Sequence, residues 1–124
     1  MAELMAVQQE IKEFNDRLEW STPGSMKDLM LNMTEEIGEF WNIIKWVDTK
    51  TQQEMIAKHH DEVENFIGDI LYLVLKISYL CNVDSQKAID GVMAEYEQRF
   101  PVSKVKGTHS NTRAGGIDLK NVKK

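Results

Sequence analysis

One cysteine, Cys81, and two prolines, Pro23 and Pro101, are all that 124 residues contain of either type. A single thiol excludes an internal disulfide and suits a reducing compartment. No apolar run approaches the roughly 20 residues that span a bilayer. The opening "MAELMAVQQE" lacks both a basic n-region and an apolar h-region, so no signal peptide is read there. A cytoplasmic protein with no membrane partner is the expectation. Strand signals are almost absent between the two prolines, which excludes a sheet-based fold.

What is present is the composition of a folded domain, 42% hydrophobic and 28% charged, at the length of one domain. The charge is uneven. From Lys104 onward six basic residues stand against Asp118 alone, a balance of +5, so residues 1–103 carry −10 of the net −5. An acidic body excludes broad-face binding of nucleic acid, which needs a positive surface. A small polyanion is still admissible if divalent cations stand between it and the carboxylates.

Apolar spacing organises the body into helices. Leu4, Val7, Ile11, Phe14 and Leu18 predict a first helix over residues 3–20, which "STPGS" breaks. Ser25, with Asp28 three residues on, is placed to cap a second helix running to about Val47. "TQQE", Thr51 to Glu54, has the form of a capping box and opens a third helical region. From Val63 to Cys81 apolar residues occupy most of the circumference, which predicts the central, most buried helix. A fourth long helix follows Asp84 and ends near Phe100. The expected architecture is all-α, a bundle of four to five helices over residues 1–100, with an extended basic tail over residues 101–124.

Two polar stripes cross these helices. On the second, Asn32, Glu35 or Glu36, Glu39 and Asn42 share a side. On the central one, Glu62, Asn65, Asp69, Tyr72 and Lys76 do. Like charges three or four residues apart repel on a helix, so the "TEEIGEF" segment is either screened by water or neutralised by a bound cation. If the stripes face each other, their carboxylates form the oxygen-rich cluster that Mg²⁺ takes. Asp69 is the most telling of them. A buried carboxylate has to face solvent, pair with a base such as Lys76, or bind metal. His59 and His60 are adjacent, cannot share a helical face, and are expected at the surface.

"EEIGEF", followed by "GDILYLVLKISYLCNVD" and "YEQRFP", resembles the MazG-like nucleotide pyrophosphohydrolases, a family with relatives acting on dCTP and dUTP. The resemblance covers roughly residues 28–101 and implies an all-α fold. It also implies Mg²⁺-dependent hydrolysis, with Mn²⁺ as a substitute, of a nucleoside triphosphate to monophosphate and pyrophosphate in nucleotide-pool house-cleaning. Glu36 and Glu39 match the family's first Glu-x-x-Glu, Glu35 completes a double Glu, and Asp69 matches the last residue of its Glu-x-x-Asp. Phe66 stands where that second motif has Glu, leaving Glu62 or Asn65 to supply the missing oxygen.

In that scheme bound Mg²⁺ neutralises phosphate charge and lowers the pKa of a coordinated water, while Glu36 or Glu39 orients or deprotonates it. Lys45, Arg99, Lys104 and Lys106 are candidate phosphate contacts, or else parts of a solvated basic surface. Tyr72 and Lys76 are further substrate candidates on the central stripe. Trp46, or its neighbour Trp41, either stacks on a base or packs in a core or subunit interface. Surplus apolar surface and the resemblance together imply self-association as a homodimer or dimer of dimers. The alternative function is a non-catalytic helical protein that binds a nucleotide or a partner. A ferritin-like carrier is disfavoured, since no helix carries Glu-x-x-His.

Overall fold

The computed structural model describes residues 3–108, and most of the expected basic tail, from His109 on, lies outside the described residues. Among them are six helices and no strand: α1 (Leu4–Arg17), α2 (Met26–Ile44), α3 (Thr49–Lys58), α4 (His60–Leu80), α5 (Ser85–Arg99) and α6 (Val102–Val105). The all-α expectation holds. Two compact units divide the chain, residues 1–86 and 87–124, so α1 to α4 form the first and most of α5 with α6 belongs to the second.

Helix α4 is the central element, packed by α1 and α2 and touched by α3. It buries Leu73, Leu75, Lys76 and Ser78, more residues than any other helix. Its start corrects the sequence reading. The helix opens at His60 rather than Val63, with Asp61 and Glu62 in a first turn whose free N–H groups favour negative charge. His59 serves as its N-cap residue, and His60 is exposed as expected.

The other boundaries differ for equally local reasons. Asp48 caps α3 by accepting the Thr51 N–H at 2.8 Å, so the helix starts at Thr49 and the "TQQE" box is not its first turn. Ser25 does not cap α2, because its hydroxyl donates to the Thr22 carbonyl at 2.8 Å within a 3₁₀ turn over Pro23–Ser25. Both α1 and α4 end in paired terminal hydrogen bonds closed by a left-handed residue. At α1 this is Glu19 (φ 58°), with the Trp20 N–H on the Asn15 carbonyl at 2.8 Å. At α4 it is Asn82 (φ 56°), with the Val83 N–H on the Ser78 carbonyl at 2.8 Å.

The seam between α1 and α4 is polar where the periodicity suggested an apolar one. Gln8 and Asn15 are the buried residues of α1, whereas Phe14 and Leu18 of the expected stripe stay exposed. The Asn15 side chain, wholly inaccessible, donates to the Ile11 carbonyl and accepts from the Tyr72 hydroxyl, both at 2.8 Å. Gln8 donates to the Val83 carbonyl at 2.9 Å and accepts from the Ser85 N–H at 3.3 Å, pinning the α4–α5 turn. Each buried amide is thus satisfied at both ends, as burial requires.

Among the described residues few apolar side chains are buried: Leu29, Leu73 and Leu75. Met30 and Ile37 on α2, with Ile67, Leu71 and Val74 on α4, leave two apolar helical faces exposed. No single helix among the described residues is long and apolar enough to cross a membrane.

Candidate functional site

Helices α2 and α4 run antiparallel, as their facing pairs show. Glu36 lies against Asp69, and Phe40 stacks on Phe66 with ring centroids 4.9 Å apart and planes 25° apart. Moving forward along α2 therefore means moving back along α4. Beside these pairs opens a cavity of about 470 Å³. Helix α2 lines it with Glu36, Glu39, Phe40, Asn42 and Ile43, and α4 with Asp61, Glu62, Asn65 and Phe66. Of the two polar stripes of the sequence, Glu36, Glu39 and Asn42 face Glu62 and Asn65 across it, whereas Tyr72 meets Asn15 of α1 and Lys76 lies by Trp20.

Charge in this cleft is one-sided. Partial burial of Glu36, with the Glu39 and Asp69 carboxylates beside it, raises its carboxyl above the ordinary range. Among the described residues no ion pair reaches Glu36, Glu39 or Asp69. Asp69 accepts one hydrogen bond, from the Asn65 Nδ2 at 2.9 Å. Glu36 and Glu39 on the cavity wall, with Asp69 beside Glu36, offer hard oxygen donors of the kind a divalent cation takes, without a basic partner. The site therefore has the chemistry to hold such an ion and, beside it, the phosphates of a small polyanion.

The remaining sequence candidates divide. Glu62 lines the cavity but also meets His59 at 3.2 Å, while Glu35 is exposed on α2 and is not part of the lining. The Tyr72 hydroxyl is engaged by Asn15. Lys76 is buried, with its Nζ 5.9 Å from the Trp20 ring centre, and burial lowers its pKa. At the end of α2, Lys45 sits over Trp41 at 5.4 Å, and the Trp41 and Trp46 rings meet edge to face at 5.8 Å. Trp46 is 90% exposed with φ 61°. Arg99 pairs with Glu95 at 2.9 Å, and it belongs with Lys104 and Lys106 to the second unit. Sequence reasoning missed Asp61, because α4 was started two residues after it. It also missed the Phe40–Phe66 stack, although Phe40 directly follows Glu39.

Comparison with known proteins adds to this geometry. No family model matches the chain. The crystal structure of a pyrophosphatase from Archaeoglobus fulgidus DSM 4304 superposes with a TM-score of 0.67 at 23% identity, over 82% of this chain and 94% of that one. The chain has the all-α fold of that pyrophosphatase. It is also similar to dCTP pyrophosphatase 1 of Mus musculus and of Rattus norvegicus, 26% and 24% identical over 98 residues, or 77% of this chain. It spans 58% of the length of these curated relatives. The resemblance to MazG-like pyrophosphohydrolases read from residues 28–101 is borne out by these likenesses.

Proposed function

We propose that the protein is a divalent-metal-dependent nucleoside triphosphate pyrophosphohydrolase. It would cleave between the α- and β-phosphates to give (d)NMP and pyrophosphate, clearing nucleotides from the pool. The observation that carries this is Glu36 and Glu39 on the wall of a cavity between α2 and α4, with Asp69 beside Glu36 and no basic partner. The similar pyrophosphatases support it.

Glu36, Glu39 and Asp69 are the residues to hold Mg²⁺, with Mn²⁺ as a substitute. When bound, the ion supplies charge neutralisation at the phosphates and a water acidified for attack. Glu36 and Glu39, both on the cavity wall, are the candidates to orient that water and accept its proton. Trp46 is the candidate base platform. A bulky residue with positive φ is strained by on the order of 1–3 kcal/mol, and such strain gathers at functional positions. Lys45, Arg99, Lys104 and Lys106 are carried forward as phosphate contacts on their charge alone. The working form is a homodimer in a reducing, cytoplasmic setting. Pairing would cover Met30, Ile37, Ile67, Leu71 and Val74, which the thin core of one copy leaves bare.

The test is product analysis with a panel of dNTPs and NTPs plus Mg²⁺. Monophosphate with pyrophosphate, abolished by EDTA, is expected, and orthophosphate or no turnover would remove the assignment. Phe66, an apolar ring beside the carboxylates, favours one second reading, a non-catalytic nucleotide-binding protein of the same fold. That reading predicts nucleotide binding without turnover, left intact by Glu39→Ala.

A further inference from the structure

We infer that Lys76 is the cation that receives the terminal phosphates of the substrate, the pyrophosphate half that leaves. This rests on the hydrolysis proposed above and names a residue of its substrate site. Lys76 is only 7% exposed, yet among the described residues it has neither a carboxylate nor a hydrogen-bond acceptor as partner. Asp69 is not paired with it, and Lys12, the neighbouring lysine of the α1 seam, is already taken by Asp16. Burying an ammonium without an anion is costly, and an arriving anion removes that cost. The ammonium is also within reach of one. No wholly inaccessible side-chain nitrogen among the described residues lacks a partner, so the unpaired Nζ keeps an edge to solvent.

Its place on α4 fits a phosphate chain. Seven residues separate it from Asp69, so the two share one side of the helix to within about 20° and lie about 10 Å apart along the axis. Side chains on a helix lean toward its N-terminus, which carries the long Lys76 arm back toward Asp69. The cavity opens in the opposite direction from Asp69, since its α4 wall is Asp61, Glu62, Asn65 and Phe66. A nucleotide with its nucleoside in that cavity and its scissile bond at Glu36, Glu39 and Asp69 therefore extends its β- and γ-phosphates toward Lys76. Trp20 completes the subsite. Its ring centre is 5.9 Å from Nζ, a cation–π contact that holds the ammonium while leaving its N–H groups free to donate. The ring is itself fixed, by the Trp20 N–H on the Asn15 carbonyl at 2.8 Å and by the edge contact with Phe14 at 6.3 Å.

The experiment is calorimetric titration of the full chain, with Mg²⁺ present, by inorganic pyrophosphate and by dNMPs, in the wild type and in Lys76→Met. Pyrophosphate affinity is expected to fall about 10- to 100-fold in the variant, the worth of a hydrogen bond to a charged group, with dNMP affinity unchanged. The melting temperature of Lys76→Met should equal or exceed that of the wild type, because an apolar chain replaces an unpaired buried ammonium. Equal pyrophosphate affinity in the two proteins would overturn the inference. An equal loss for pyrophosphate and dNMP, or a wild type that binds no pyrophosphate, would do the same. Lys76→Gln, polar but uncharged, is read by the same criteria and decides if Lys76→Met does not fold. A wild type that cleaves nucleoside triphosphates while its pyrophosphate binding ignores Lys76 removes this inference alone. Lys76-dependent pyrophosphate binding without turnover removes the hydrolase reading and leaves the subsite standing.

Discussion

Where α4 meets α1, donors and acceptors come in complementary sets. Asn15 is matched by Tyr72 and the Ile11 carbonyl, Gln8 by Val83 and Ser85, and Ser21 by Asp16 and Tyr79. Where α4 meets α2, the polar groups are nearly all acceptors, and Glu36, Glu39 and Asp69 press on one another with only the Asn65 amide donating among them. The same helix thus holds polar groups in two ways. On the α1 side they close on each other and specify the packing. On the α2 side they stay unbalanced, a repulsion that the proposed cation would relieve. Side chains that serve a fold are complementary within the chain, and side chains that serve a ligand are complementary to the ligand.

Substitutions on the two sides should therefore behave oppositely. The largest effect is expected for Glu39→Ala or Asp69→Asn, which should lower turnover by about 10²- to 10⁴-fold. In metal-free buffer the melting temperature should be unchanged or higher, because a repelling charge has gone. A clear fall in stability would instead assign these carboxylates to the fold. Next comes Asn15→Leu, which strands the half-buried Tyr72 hydroxyl. It should cost about 2–3 kcal/mol in urea titrations, with turnover per folded molecule retained. Gln8→Ala should follow at about 1–2 kcal/mol, since it frees the Val83 carbonyl and the Ser85 N–H.

The smallest effect concerns acid pH. The Lys12 ammonium, helped by the Ser21 hydroxyl, holds the Asp16 carboxyl below its usual range, and the Thr51 N–H does the same for Asp48. A carboxyl whose folded pKa is depressed stabilises the fold above its ordinary pKa and loses that contribution as pH falls through the folded value. The small melting-temperature difference between the wild type and Asp48→Ala should be present at pH 7 and vanish in strong acid. A difference that persists there would assign it to something other than the charged cap.

The helical architecture was legible in the sequence because apolar residues recur at helical spacing and the breaks are chemically marked, as at "STPGS". The acidic pair Glu36 and Glu39, with Asp69 on an apolar helix, was legible for the same reason. Boundaries were less so. Asp48 outcompeted the "TQQE" box as a cap, and α4 began at His60, which concealed Asp61. The seam with α1 was misjudged because periodicity counts apolar residues, whereas Gln8 and Asn15 are buried through hydrogen bonds that only the partner helix supplies. Nothing in the spacing of Phe40 along α2 showed that it would stack on Phe66 beside the carboxylates.

The most direct measurement of the central claim is the melting temperature of the wild type and of Glu36→Gln, each with and without Mg²⁺. Binding at a concentration 100 times the dissociation constant stabilises the folded state by about 2.7 kcal/mol. A clear rise is therefore expected for the wild type on adding Mg²⁺. Glu36→Gln should show little or no rise, starting from a metal-free melting temperature at or above that of the wild type. A wild type indifferent to Mg²⁺, together with a Glu36→Gln variant that melts lower, would show that the cleft is balanced without an ion and contradict the account.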